Sequence, residues 1–187
     1  MNVLIINANP KRDSFCHSLA SAYASGCAVR GYRVERIDLG ELNFDPVLRE
    51  GYGGQPLEPD MERLQSSIQW ADHLAFVYPN WWGVMPALLK GALDRAMTPG
   101  FAFRFDNGAV ESLLNNKSAS LLITMDVPIW LHRFVHRSRG TKLMRDNVLK
   151  FCGIRARQTC YFGPLHNSCA EKRKRWLDKA HRLGRAA

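Results

Sequence analysis

Three short apolar runs constrain this chain more than any other feature: VLII at 3–6, HLAFVY at 73–78 and SASLLIT at 118–124. Each has the length of a strand and none alternates cleanly with polar residues, so each needs cover on both faces. Between them lie segments of helical spacing. Ser14 can cap a helix whose Phe15, Leu19, Ala22, Tyr23 and Val29 share one stripe, with Gly31 as its stop. RVERIDL at 33–39 alternates, as a strand nearer a sheet edge does. Residues 40–59 carry four Gly and three Pro and read as a long loop. Further helices are expected near 60–71, 86–97 and 141–151, and a fifth strand near 156–162. The last helix is expected to begin at Ser168, with Ser168 and Glu171 spaced as a capping box. Strands alternating with helices in this way predict an α/β, doubly wound, five-stranded parallel sheet. Right-handed crossovers favour the strand order 2-1-3-4-5, with a ligand at the carboxyl ends of strands 1, 3 and 4.

Residues 1–187 are expected to form one domain, large enough for a core of its own. No apolar stretch approaches the roughly 20 residues of a membrane-spanning helix. MNVLIINA lacks the cationic start of a signal peptide and reads as a first strand. The five Cys are odd in number and show no C-x-x-C spacing, which argues against a disulfide framework or a zinc site and for a reducing cytoplasm. Charge is uneven. Residues 1–129 carry 11 Lys and Arg against 14 Asp and Glu, whereas residues 130–187 carry 15 against 3. Such a segment can meet nucleic acid or an anionic membrane, or can be a solvated basic face. A helix at 171–185 must bury Trp176 and Leu183, so only its remaining face is free, and no nucleic-acid partner is expected.

The architecture brings three loops to one crevice. In NANPKRDSF (7–15) the start of a helix offers unpaired N–H groups, Ser14 a hydroxyl and Asn9 an amide. The stretch has no Gly and matches neither the Walker nor the dinucleotide pattern, so a single phosphate or a pyrophosphate suits it better than a triphosphate. The alternative is a capped turn with solvated Lys11 and Arg12. In YPNWWG (78–83), Trp81 and Trp82 cannot both enter the core, and their faces could wall in a planar ring whose edge Asn80 would meet. One of them could equally pack at a subunit interface. TMDVPIW (124–130) adds Thr124, Asp126 and Trp130, with Asp126 either a ring acceptor or a turn cap. Cys16 lies in a first helical turn, where a thiolate is favoured, unless it is simply packed.

Several blocks together resemble the flavodoxin-like NAD(P)H dehydrogenase (quinone) family, of the DT-diaphorase type and its short bacterial relatives. They are the N-P-x-x-x-S-F loop, IDL…FDPVL (37–48), YPNWWGVMPALLKGALDR (78–95), GFAFRF (100–105), ITMD (123–126), FCG (151–153) and FGP (162–164). The resemblance implies a bound flavin, with hydride passing from NAD(P)H through it to a quinone or similar small electrophile in a ping-pong cycle. It implies flavin contacts at Asn9, Lys11, Asp13, Ser14 and Phe15, along Pro79, Asn80, Trp81, Trp82 and Gly83, and at Thr124, Met125 and Asp126. Substrate contacts are implied at Trp82, Phe103, Phe105 and Trp130, the two Phe reaching across a homodimer interface. The first loop resembles FAD binders, while short relatives include FMN binders, so FAD is expected slightly ahead of FMN. Family members place a Tyr and a His after the third loop to stabilise charge on the reduced flavin. Here His132 is the candidate, the alternative being a solvated His. A second function in this superfamily, a regulatory flavoprotein docking on a membrane potassium-efflux partner, would use the basic C-terminal third.

Overall fold

The computed structural model describes residues 1–106 and 108–187. Its strands are β1 (Asn2–Asn7), β2 (Arg33–Asp38), β3 (His73–Pro79), β4 (Phe103–Asp106), β5 (Ala109–Ser112), β6 (Ser118–Thr124) and β7 (Arg155–Phe162). Five of these pair in parallel in the order β2-β1-β3-β6-β7, which is the topology the apolar runs predict. The remaining two, β4 and β5, make an antiparallel pair of their own that the sequence reading lacks. Only Phe103 of β4 is buried, so neither strand carries the continuous apolar signal of the central ones.

The helices are α1 (Phe15–Val29), α2 (Pro59–Trp70), α3 (Ala87–Ala96), α4 (Ile129–Phe134), α5 (Arg139–Lys142) and α6 (Ala170–Arg185). Successive strand residues face opposite sides of the sheet. Leu4, Ile6, Leu74, Phe76 and Tyr78 join the core beneath α2 and α3, while Val3, Ile5, Ala75 and Val77 join the core beneath α1 and α6. That two-sided cover is why the central runs are unbroken.

Small residues bring the elements close. An added Cβ on Gly26 of α1 would lie 2.0 Å from the His181 carbonyl oxygen, and one on Gly184 of α6 would lie 2.2 Å from that of Tyr23. Likewise Gly91 of α3 seats against Pro46, whose Cβ would be 2.5 Å away. The FDPVL and LKG blocks are thus two halves of one packing contact. Arg95, in the same helix, is fully buried and donates at 2.6 Å to both Glu58 and the Pro56 carbonyl, which pins the long loop.

Three expectations need correction. The predicted helix at 141–151 is a single α turn, α5, followed by a π-helical segment at Leu143–Leu149. The capping box does not form: α6 starts at Ala170 with Cys169 as its N-cap. The Ser168 hydroxyl instead donates to the Leu165 carbonyl and accepts from Arg173. The short helix α4 has no counterpart in the sequence reading, because six residues are too few to show a helical period.

Candidate functional site

The carboxyl ends of β1, β3 and β6 are laced together by the Ala8 N–H on the Val77 carbonyl (2.8 Å) and the Asn80 N–H on the Thr124 carbonyl (2.7 Å). The loop after β1 is shaped by its own side chains. Asn7 Oδ1 accepts from the Asn9 N–H, and Asn9 Oδ1 from the Lys11 N–H, two successive Asx turns that carry the chain over the sheet edge. Ser14 then caps α1 as expected, accepting from the His17 N–H. The N–H groups of Phe15 and Cys16 ahead of it have no backbone partner among the described residues, as at any helix start. Lys11 and Asp13 stand exposed beside this end. The Phe15 ring turns the other way, with its centroid 5.8 Å from that of Trp176. Cys16 is buried, its Sγ 3.3 Å from Thr124 Oγ1, and burial raises its thiol pKa despite that hydroxyl. It is a packed residue that joins α1 to β6, and the thiolate reading falls.

The loop after β3 is a tight turn. Trp81 and Val84 exchange both backbone hydrogen bonds at 3.0 Å, with Trp82 at φ 52° and Gly83 at φ 83°. Positive φ at both central residues makes this a type I′ turn, whose favoured sequence is Asn-Gly. For Gly83 the conformation is natural; for a tryptophan it is strained. The turn leaves Trp82 fully exposed and Trp81 about half so, as expected of a pair that cannot both be core. Trp82→Asn is therefore expected to raise stability by about 1 kcal/mol in urea denaturation while lowering turnover.

The loop after β6 is tied to the one after β7. Met125 is buried, its N–H on the Phe162 carbonyl at 3.0 Å, and the Asp126 carboxylate accepts from the His166 N–H at 2.7 Å. The contact joins two loops, and so differs both from a cap on its own turn and from a contact to a ring. Trp130 on α4 is exposed. His132, by contrast, is only 2 % exposed, so the solvated reading is wrong. Its ring centroid lies 5.0 Å from that of Tyr161, and its Nε2 is buried with no hydrogen-bond partner among the described residues. Burial, with His136 and Arg133 nearby, lowers its pKa and favours the neutral ring. His132 and Trp82 line one cavity of about 290 Å³, together with Gly83, His136, Arg139 and Gly140. Tyr161, from β7, donates to Thr141 Oγ1 at 3.1 Å. This Tyr–His pair escaped the sequence reading, which looked for both partners in the segment after β6. The signal available was a tyrosine at the carboxyl end of the fifth parallel strand.

Phe103 and Phe105 do not reach this cavity. They pack edge to face at 5.7 Å in a separate apolar hollow of about 600 Å³, with Tyr52, Leu143 and Phe151. Leu143 stands between the two hollows and lines both.

The doubly wound sheet has its crevice at a topological switch point, where folds of this class bind their ligands. The chain belongs to the flavodoxin-like fold family, whose model matches residues 1–183. It is 32% identical to a protein of Haemophilus influenzae named as an uncharacterized NAD(P)H oxidoreductase, over 96% of this chain and 92% of that one. It is 27% identical to rat NAD(P)H dehydrogenase [quinone] 1, over 81% of this chain and 64% of that longer protein. The structure of an NAD(P)H:quinone oxidoreductase from Methanothermobacter marburgensis superposes with a TM-score of 0.86 at 28% identity, over 99% of this chain and 98% of that one.

Proposed function

We propose that this protein is a flavin-dependent NAD(P)H oxidoreductase, acting as one flavin-binding domain, that passes hydride to a quinone or similar small electrophile. The observation that carries the reading is the Trp82–Gly83 turn: a strained backbone holds an indole in solvent beside the unpartnered Nε2 of buried His132. Strain of that kind persists where function needs it. The relatives named as oxidoreductases support the same activity, and nothing among them supports the regulatory-subunit reading.

The residues present fit a flavin. The open N–H groups of α1, with Ser14 and Lys11, would hold its phosphate, and Asn80, the Trp81–Gly83 backbone and Thr124 would meet its ring edge. A bound flavin supplies the two-electron chemistry. The chain's own part is to orient the ring, exclude water with Trp81 and Trp82, and offer the neutral His132 ring as a hydrogen-bond partner where charge develops. Phe103 and Phe105 lie outside the crevice of their own chain, which supports their serving that of a second copy in a homodimer. FAD is placed ahead of FMN, and the cytoplasm is the compartment proposed.

The test is an absorbance spectrum of the purified protein, with release and identification of the cofactor. The expected result is near-stoichiometric FAD and its bleaching by NAD(P)H, reversed by a quinone. A colourless protein that neither FAD nor FMN can load would remove the proposal.

A further inference from the structure

Of the described cations in the C-terminal third, only Arg139 lines the cavity shared by Trp82 and His132. Residues 127–145 contain five Lys and Arg and no Asp or Glu. Arg133, Phe134, Val135, His136 and Arg137 are all exposed, Phe134 by 78% and Val135 by 59%. Trp130, four residues before Phe134 on α4, extends the same exposed apolar set. Scattered exposed apolar side chains are ordinary, but a cluster set among cations marks an interaction surface. The backbone enforces the exposure. Arg137 and Ser138 are successive non-glycine residues at φ 55° and 50°, and the Ser138 N–H returns to the His132 carbonyl at 3.0 Å. Phe134 ends α4 and Val135 is its C-cap, both within the segment that this hydrogen bond closes.

A second basic group lies on the same edge of the sheet. α6 begins just past the carboxyl end of β7, and its first two turns hold Lys172, Arg173, Lys174 and Arg175. The loop leading to it is tied to Asp126 beside α4 by the His166 N–H. Cations near a helix N-terminus oppose the helix dipole, so folding does not favour them there. Arg133, Arg137, Lys174 and Arg175 form no ion pair with a carboxylate among the described residues.

We propose that this edge docks on an anionic phospholipid bilayer, with Phe134 and Val135 entering the interface and the flanking Arg and Lys on the headgroups. Short apolar residues in a basic setting are the chemistry of an interfacial anchor, in which burial and charge attraction act together. Charge alone would draw any polyanion; the exposed Phe134–Val135 pair is what selects a surface with an apolar interior. Docking would bring the mouth lined by Trp82 to the membrane, where long-tailed apolar quinones reside, a consequence that rests on the oxidoreductase reading.

Co-sedimentation of the full chain with vesicles tests this, using phosphatidylcholine with and without phosphatidylglycerol. Binding is expected only with phosphatidylglycerol and is expected to fade as salt shortens the range of charge attraction. Phe134→Ser should lower partitioning about tenfold and Arg137→Asn about fivefold, both with flavin content unchanged. Asn tolerates the left-handed backbone of position 137. Absence of binding to phosphatidylglycerol vesicles at low salt overturns the proposal. So does a Phe134→Ser protein that binds as before, which would mark a general polyanion face, or one that turns from dimer to monomer without vesicle binding in either form. A colourless protein that still binds the vesicles sinks the flavin reading and leaves the docking intact.

Discussion

Gly140→Ala is expected to lose flavin retention and about 3 kcal/mol of stability together. A Cβ at this position would stand 2.0 Å from the Gly83 carbonyl oxygen and 2.8 Å from Val84 Cα. Both obstacles are backbone, so no side-chain rotation relieves them. Either α5 or the Trp82 turn must move, and the turn already holds two residues at positive φ. Displacing it separates Trp82 from His132, which now share one cavity. Gly26→Ala is the control, because its Cβ would meet the His181 carbonyl at the same 2.0 Å in the α1–α6 crossing, away from the crevice. It should destabilise comparably while the folded fraction keeps its flavin. Urea denaturation and flavin titration of both variants separate the effects. Equal flavin retention in the two would show that Gly140 matters to folding alone.

The second large effect is acid destabilisation through His73. This residue opens β3, is fully buried, and contacts three hydroxyls: Tyr23 at 3.1 Å and Ser120 at 3.0 Å from Nε2, and Ser118 at 2.7 Å from Nδ1. Hydroxyls can donate or accept, so the neutral ring is fully satisfied there. Burial, with Arg157 nearby, disfavours the imidazolium and lowers the pKa from 6.5 to about 4. Between those values the unfolded chain binds the proton and the folded one does not. Stability is therefore full above pH 6.5 and lost as pH falls toward 4, by about 2 kcal/mol between pH 7 and pH 5. His132, also depressed, adds in the same direction. The carboxylates held low, Asp38, Asp45, Glu58 and Glu171, act mainly at lower pH. Urea midpoints across pH 5 to 7 should slope for the natural protein and flatten in His73→Gln. Parallel slopes would assign the acid sensitivity elsewhere.

Most of the architecture was legible because burial on both faces leaves a signal that cannot be hidden: strands β1, β3 and β6 had to be largely apolar on both faces, and parallel strands joined in this way need crossovers, here helical. The Ser14 cap and the Gly31 stop were legible for a local reason, since each acts on backbone groups within a few residues. The Ser168 capping box had an equally good local pattern and did not form. There the Leu165 carbonyl and Arg173 claimed the hydroxyl, and a pattern of four residues cannot show which partner wins.

The candidate site divides in the same way. That Trp81 and Trp82 could not both be buried follows from their adjacency at a strand end, and so was readable. That Trp82 is held in solvent by a left-handed turn, braced from behind by Gly140, was not, because the brace comes from residues more than fifty positions away. For His132 the sequence left a site role and a solvated histidine both open; the fold buried it against Tyr161 from the last strand. The sequence by itself determined the sheet, its cover and the edge where a ligand binds, since periodicity and caps act locally and repeat along the chain. Only the tertiary structure decided which side chains meet there, because those contacts join segments that local chemistry leaves independent.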